Sequence, residues 1–315
     1  MNIALDMMGG DFAPLEAIKG ISLFLDGAIA DVDITLIGDQ ELINNLLAEY
    51  GIPDTNLTVV HAQQVIEMHE HPTRALKEKQ QSSIAIGFQL LATGKTDAFI
   101  SAGNTGAMMV GALFSIKAIE GVTRPTIGAY MPREDGSLGL LLDAGINADC
   151  KAENISQFAT LGALYAEHIL GVNNPKVGLV NVGEEEGKGN LLAQAAYPLL
   201  KENKHINFIG NIEGRDILIS KADVMVCDGF TGNVVLKLAE SIYDIVKRRG
   251  IKDEHFDRFN FEMYGGVPVL GVAKPVIIGH GISHAIAFKN MILIAHRMLE
   301  KNLMQKMKDI FNGRA

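Results

Sequence analysis

Short apolar runs of strand length alternate with stretches of helical period along almost the whole chain. Residues 3–7, 33–38, 57–61 and 98–101 read as strands. Helices are predicted after Pro14, up to about Tyr50, over 82–93 with Ser82 or Ser83 as N-cap, and over about 105–120. Residues 126–131 and 138–143 read as a strand pair, followed by a helix over 152–170. Further strands fall at 177–182, 206–209 and 224–227, with helices near 190–201 and 234–249. Residues 268–279 read as extended, and one long amphipathic helix is predicted from about 284 to 311. Such alternation predicts an α/β fold, a mostly parallel sheet with helices on both faces. Without an internal repeat, low-complexity tract or clear linker, the chain reads as a single domain over 1–315.

Polar turns punctuate this pattern. Five glycine- and asparagine-rich segments follow apolar runs: Asp6-Met7-Met8-Gly9-Gly10-Asp11, Ser101-Ala102-Gly103-Asn104-Thr105-Gly106, residues 181–190, residues 210–216, and Asp228-Gly229-Phe230-Thr231-Gly232-Asn233. In open sheets of this class ligands sit outside the carboxyl ends of the strands. A helix that starts after a glycine turn aims N–H groups at an anion. The expectation is one polar site at one edge of a sheet, built from these turns.

Composition narrows the function classes. Of 315 residues, 48% are hydrophobic and 21% charged, an ordinary globular balance. The net charge of −9 and the absence of Trp argue against a nucleic-acid partner. Cys150 and Cys227 make neither a disulfide framework nor a metal motif, which fits a reducing cytoplasm. Asp6 and Asp11 interrupt the N-terminal apolar run, so no signal peptide is expected. The uncharged stretch 98–116 is long enough to span a bilayer, but Ser101, Gly103, Asn104, Thr105 and Gly106 at its centre read as strand, turn and buried helix.

No segment fits the dinucleotide fingerprint or the Walker A pattern. Lys188 stands between glycines, open to an anion, and a solvated helix start is the plain alternative. The three glutamates at 184–186 lack a second oxygen-rich cluster, so no metal is expected. Asn233, like Asn104 and Thr105, either donates to an oxyanion or caps a helix. Cys227 lies in an apolar strand beside Asp228, which disfavours a thiolate nucleophile. His69 and His71, followed by Pro72, read as a surface turn. His280 sits at a strand end, open to a site role or a core role. Lys247, Arg248 and Arg249 make a basic helix end, and the last helix is also locally basic; either surface suits an acidic protein.

Taken together, these segments resemble the acyl-carrier-protein:phosphate acyltransferases of bacterial phospholipid synthesis. The resemblance rests on residues 6–11, 66–68 with Ser82 and Ser83, 101–107, 141–145, 181–190, 210–216, 228–237, and Gly265-Gly266 with His280-Gly281. It implies a three-layer α/β/α fold like that of isopropylmalate dehydrogenases and phosphotransacetylases. It also implies a homodimer, no cofactor, and transfer of a long-chain acyl group from acyl-carrier protein to inorganic phosphate. The implied location is the cytoplasm, peripheral at the inner face of the membrane, next to the downstream glycerol-phosphate acyltransferase. Residues 238–264 are shorter and more charged than the apolar tip of many relatives.

On this reading Lys188 neutralises phosphate or the oxyanion, Asn233 supplies a donor, and His280 protonates the departing sulfur. Ser82, Ser83, Gly103, Asn104, Thr105, Gly106, Asn190, Arg215 and Gly232 bind substrate, while Lys247, Arg248 and Arg249 dock the carrier. The rivals are a phosphotransacetylase-like enzyme on a coenzyme A thioester and a non-catalytic carrier-binding scaffold. A dehydrogenase of the same fold is disfavoured by the missing fingerprint.

Overall fold

The computed structural model describes residues 1–27 and 31–313. In chain order the elements are β1 (Asn2–Asp6), α1 (Leu15–Leu25), β2 (Asp33–Gly38), α2 (Gln40–Glu49), β3 (Leu57–His61), α3 (Pro72–Glu78), α4 (Ser83–Ala92), β4 (Ala98–Ser101) and α5 (Thr105–Gly111). Then come β5 (Thr126–Pro132), β6 (Leu138–Leu142), α6 (Ala152–His168), β7 (Lys176–Val180), α7 (Leu191–Glu202), β8 (Asn207–Ile212), β9 (Val224–Val226) and α8 (Gly229–Arg248). The chain continues with α9 (Glu254–Asp257), β10 (Gly266–Leu270), β11 (Val276–Gly279), α10 (Ala285–Glu300) and α11 (Leu303–Phe311).

These elements fall into two compact units. The first comprises Met1–Ala118 and Phe261–Met304. Its sheet runs β3-β2-β1-β4-β11-β10, parallel except for the β10/β11 hairpin. Beyond Asn2, β1 is buried along its length, as a parallel strand covered on both faces must be. Helix α4 packs on β1, β2 and β4; α1 packs on α10, which reaches the same sheet. The second unit comprises Ile119–Asn260 and the chain from Gln305. Its sheet runs β5-β6-β9-β7-β8, parallel except for β5/β6. Helix α6 lies on β6, β7 and β9, and α7 packs against α6. The predicted α/β class with a mostly parallel sheet is therefore correct.

Several boundaries differ from the periodic reading, each for a local reason. Pro72, just after the turn expected at His69 and His71, opens a helix absent from the periodic reading, α3, where its missing N–H costs nothing. The helix expected over 105–120 leaves α geometry at Gly111, winds as a π-helix through Ala112–Ile116, and stops at Lys117 (φ 69°). Helix α8 starts five residues before the expected 234, because Asp228 caps it by accepting from Thr231 N. Residues 268–279 are not one extended run but part of the β10/β11 hairpin, with Gly266 opposite Gly279. The helix expected over 284–311 is broken at Asn302, whose φ of 52° ends α10 and separates it from α11. Gly210, Asn211 and Ile212 belong to β8 and Gly214–Asp216 wind as a short 3-10 helix, so the 210–216 segment is not a single turn.

Candidate active site

Within the first unit, the turns after β1 and β4 are latched by a buried carboxylate. Asp6 accepts Met8 N at 2.9 Å and the Ser101 hydroxyl at 2.7 Å, and Ser101 Oγ in turn accepts Gly103 N at 3.0 Å. Burial pushes the Asp6 pKa up, against the hydrogen bonds from Ser101, Ser83 and the backbone that pull it down. Gly9 fits between the two turns because it lacks a side chain: a Cβ there would lie 2.5 Å from Asp6 Oδ2 and 2.6 Å from Gly103 N. Asn104 caps α5 by accepting Ala107 N, and its amide donates to the carbonyls of Glu67, Met68 and Glu70. Thr105 and Gly106 form the first turn of that helix. Ser82 caps α4, accepting Ala85 N and donating to Lys79 O; Ser82 and Ser83 are both buried. His280, one residue past β11, is exposed, and its ring lies 4.9 Å from that of Phe261.

The second unit carries the remaining predicted residues. At the end of β6 the buried Asp143 carboxylate accepts Gly145 N (3.0 Å), Ile146 N (3.1 Å), Asn147 N (2.7 Å) and the Asn147 amide (2.6 Å). This folds residues 143–147 onto the start of α8, where Gly229 N donates to Asn147 O. Gly232 presses on the Asp143 carbonyl, and Asn233 is an exposed residue beside Gly145. Cys227 is buried; burial first, then Asp228 and Asp143, push its thiol well above the ordinary range. That supports the reading against a thiolate nucleophile.

The 181–190 loop is held from several sides. Asn181 donates to Lys188 O, Gln194 to Gly187 O and Gly189 O, and Asn211 to Glu185 O. Asn190 caps α7, accepting Ala193 N. Lys188 Nζ is half exposed and 4.0 Å from a Glu185 carboxylate oxygen, a loose pair in water. Glu186 pairs with Lys201 and Glu184 with Lys221. Arg215 is exposed and pairs with Glu213 at 2.7 Å. Lys247, Arg248 and Arg249 are exposed at the end of α8. Between α7 and α8 opens a cleft of about 200 Å³, bordered by Asn181, Asn190, Cys227, Asp228 and Thr231.

Periodic reasoning missed Asp6, Asp143 and Lys221 as organisers. Asp143 left a signal, an aspartate closing an apolar strand just before Ala144-Gly145, the pattern of a carboxylate that folds its own loop. Lys221 left none: it reaches Asp216 at 2.8 Å, and burial of Asp216, which alone would raise that carboxyl, is outweighed by this bond together with the Glu213 N–H and the Lys221 and Arg215 charges.

A family model described as "Fatty acid synthesis protein" matches residues 1–306. A phosphate acyltransferase of Dictyoglomus turgidum is 42% identical over 332 aligned positions, covering 99% of this chain and 98% of the relative. One of Aquifex aeolicus is 43% identical, covering 98% and 96%. Among solved structures, a phosphotransacetylase from Streptococcus pyogenes superposes with a TM-score of 0.65 at 18% identity, covering 95% of this chain and 94% of its own. A branched-chain phosphotransacylase from Enterococcus faecalis gives 0.62 at 14% identity, covering 95% and 99%. These two likenesses concern the fold. The near-full-length identity to the curated relatives places this chain in the phosphate acyltransferase family.

Proposed function

We propose that the protein transfers a long-chain fatty acyl group from acyl-carrier protein to inorganic phosphate, giving acyl phosphate for phospholipid synthesis. The observation that carries this is 42% identity, over 99% of the chain, to a protein named phosphate acyltransferase. A phosphate oxygen attacks the thioester carbonyl, the C–O bond forms, the C–S bond breaks, and the thiolate leaves to take up a proton. Phosphate has its second pKa near neutrality, so the dianion is present, and a thiol of pKa about 8.5 is a fair leaving group. The reaction therefore asks for positioning and charge more than for a strong general base. Preorganised donors aimed at the oxyanion contribute roughly 10²–10³ in rate each.

In this reading Lys188 neutralises phosphate or the oxyanion, and Asn233 donates an amide hydrogen bond. Both are exposed residues of the second unit, Lys188 in the loop before α7 and Asn233 near the start of α8, which suits them to an incoming substrate. His280 protonates the departing sulfur. Backbone of Gly103 to Gly106 and the Ser82-Ser83 helix start hold phosphate in this proposal. The protein acts as a homodimer next to the membrane, and an apolar stripe on α8, with Phe230, Val234, Leu238 and Ile245 exposed, supports a covered face there. Among the described residues no helix is long and apolar enough to cross a membrane.

The test is thiol release from palmitoyl carrier protein with and without phosphate, with hydroxylamine trapping of the product. Phosphate-dependent release is expected; carrier binding without it would leave only a scaffold. The second reading, a small coenzyme A thioester as donor, is favoured by the phosphotransacetylase fold neighbours. Faster trapping from acetyl coenzyme A than from palmitoyl carrier protein would establish it.

A further inference from the structure

The cleft between α7 and α8 is walled by Ile155, Leu179, Val180, Val182, Leu192 and Ala193. Its polar rim is already engaged. Asn190 Oδ1 accepts Ala193 N, Asn181 bonds Val182 N and Lys188 O, and the Asp228 carboxylate takes Thr231 N and the Thr231 hydroxyl. Among the described residues lining it there is no lysine, arginine or histidine, and Asp228 would repel an anion at its edge. The cleft thus suits neither phosphate nor a carboxylate. Its lip is apolar as well: Val182 is 80% exposed and the neighbouring Leu191 87%. An apolar cavity of about 150 Å³ takes a benzene molecule, so about 200 Å³ has room for a short alkyl segment.

The cleft also adjoins the Asp143–Asn233 corner. Cys227 borders it, and the Cys227 sulfur lies 4.0 Å from the Asp143 carbonyl oxygen and against Gly232. We infer that this cleft holds the alkyl chain of the acyl donor, seating its thioester-proximal segment beside the corner where the thioester reacts. The inference rests on the transferase reading for the identity of the chain, but the cleft's taste for alkyl groups does not.

Two measurements on the full-length protein test it. The first is saturable binding of 1-octanol, followed by titration calorimetry, to the wild type, to Ala193→Leu, which fills the cleft, and to Val182→Trp, which covers its mouth from an exposed position. Binding to the wild type with at least a tenfold weaker Kd in both variants is expected. No saturable binding to the wild type, or equal Kd in the folded variants, overturns the inference. The second is the ratio of kcat/KM for palmitoyl over acetyl thioester, expected to fall at least tenfold in Ala193→Leu; an unchanged ratio overturns the assignment to the acyl chain. A wild type that binds octanol in the cleft yet shows no phosphate-dependent thiol release would instead sink the transferase reading.

Discussion

Gly232 has no room for a methyl group. A Cβ there would lie 1.8 Å from the Asp143 carbonyl oxygen, a backbone atom that cannot swing aside. Gly232→Ala is therefore expected to destabilise the protein by about 3 kcal/mol or more, as severe overpacking does, read as a lowered urea midpoint. Cys227 is the contrasting case. Its thiol is buried and held protonated, so Cys227→Ser is expected to keep most activity in the thiol-release assay; total loss with an intact fold would revive a covalent route. Lys188 is exposed and only loosely paired. A lost charge-assisted hydrogen bond costs about 1.5–3 kcal/mol, so Lys188→Ala is expected to lower kcat/KM for phosphate by roughly ten- to a hundredfold. Full turnover with an unchanged phosphate KM would reject its role. At this scale the sequence left the uses of its polar residues open. Asn104 was readable as either a ligand donor or a cap, and it serves as a cap, as does Asn190, which was read only as a substrate-binding residue. That choice depends on which N–H lies within reach, and composition does not contain it.

Strands were the most legible elements, because burial on both faces makes them short, nearly continuous apolar runs. Helix ends were harder. The start of α8 depends on the Asp228 side chain accepting Thr231 N, a bond that brings Gly232 and Asn233 into the helix instead of leaving them in a turn. The stop at Lys117 and the break at Asn302 are single positive-φ residues inside otherwise periodic stretches. The far end of α8 carries the proposed docking charge: Lys247, Arg248 and Arg249 are all exposed, and Lys247 lies over the Tyr243 ring. Reversing the three to glutamate is expected to weaken binding of the acidic carrier and to flatten its dependence on ionic strength. Surface plasmon resonance across a salt series would show this, and identical curves for both proteins would remove that surface from consideration.

For the whole molecule, the buried Asp6 links folding to pH. Its folded-state pKa is raised above the ordinary 3.8, so just above that pH the native state holds a proton that the unfolded chain has released. Stability from this group accordingly falls as pH rises through the window opening at 3.8. Asp6→Asn is expected to flatten that part of the stability–pH curve; parallel urea curves for mutant and wild type over the window would contradict it. The same carboxylate shows what was beyond reading along the chain. Its partner Ser101 is 95 residues away, and the bond exists because β4 pairs with β1. The sequence by itself determined the α/β class, the alternation of elements and the family, since these reside in local periodicity and in the identity of residues. Tertiary structure decided the strand orders, the closing of the 143–147 loop on α8, and the apolar cleft between α7 and α8. Those depend on contacts between distant segments, whose geometry no local repeat encodes.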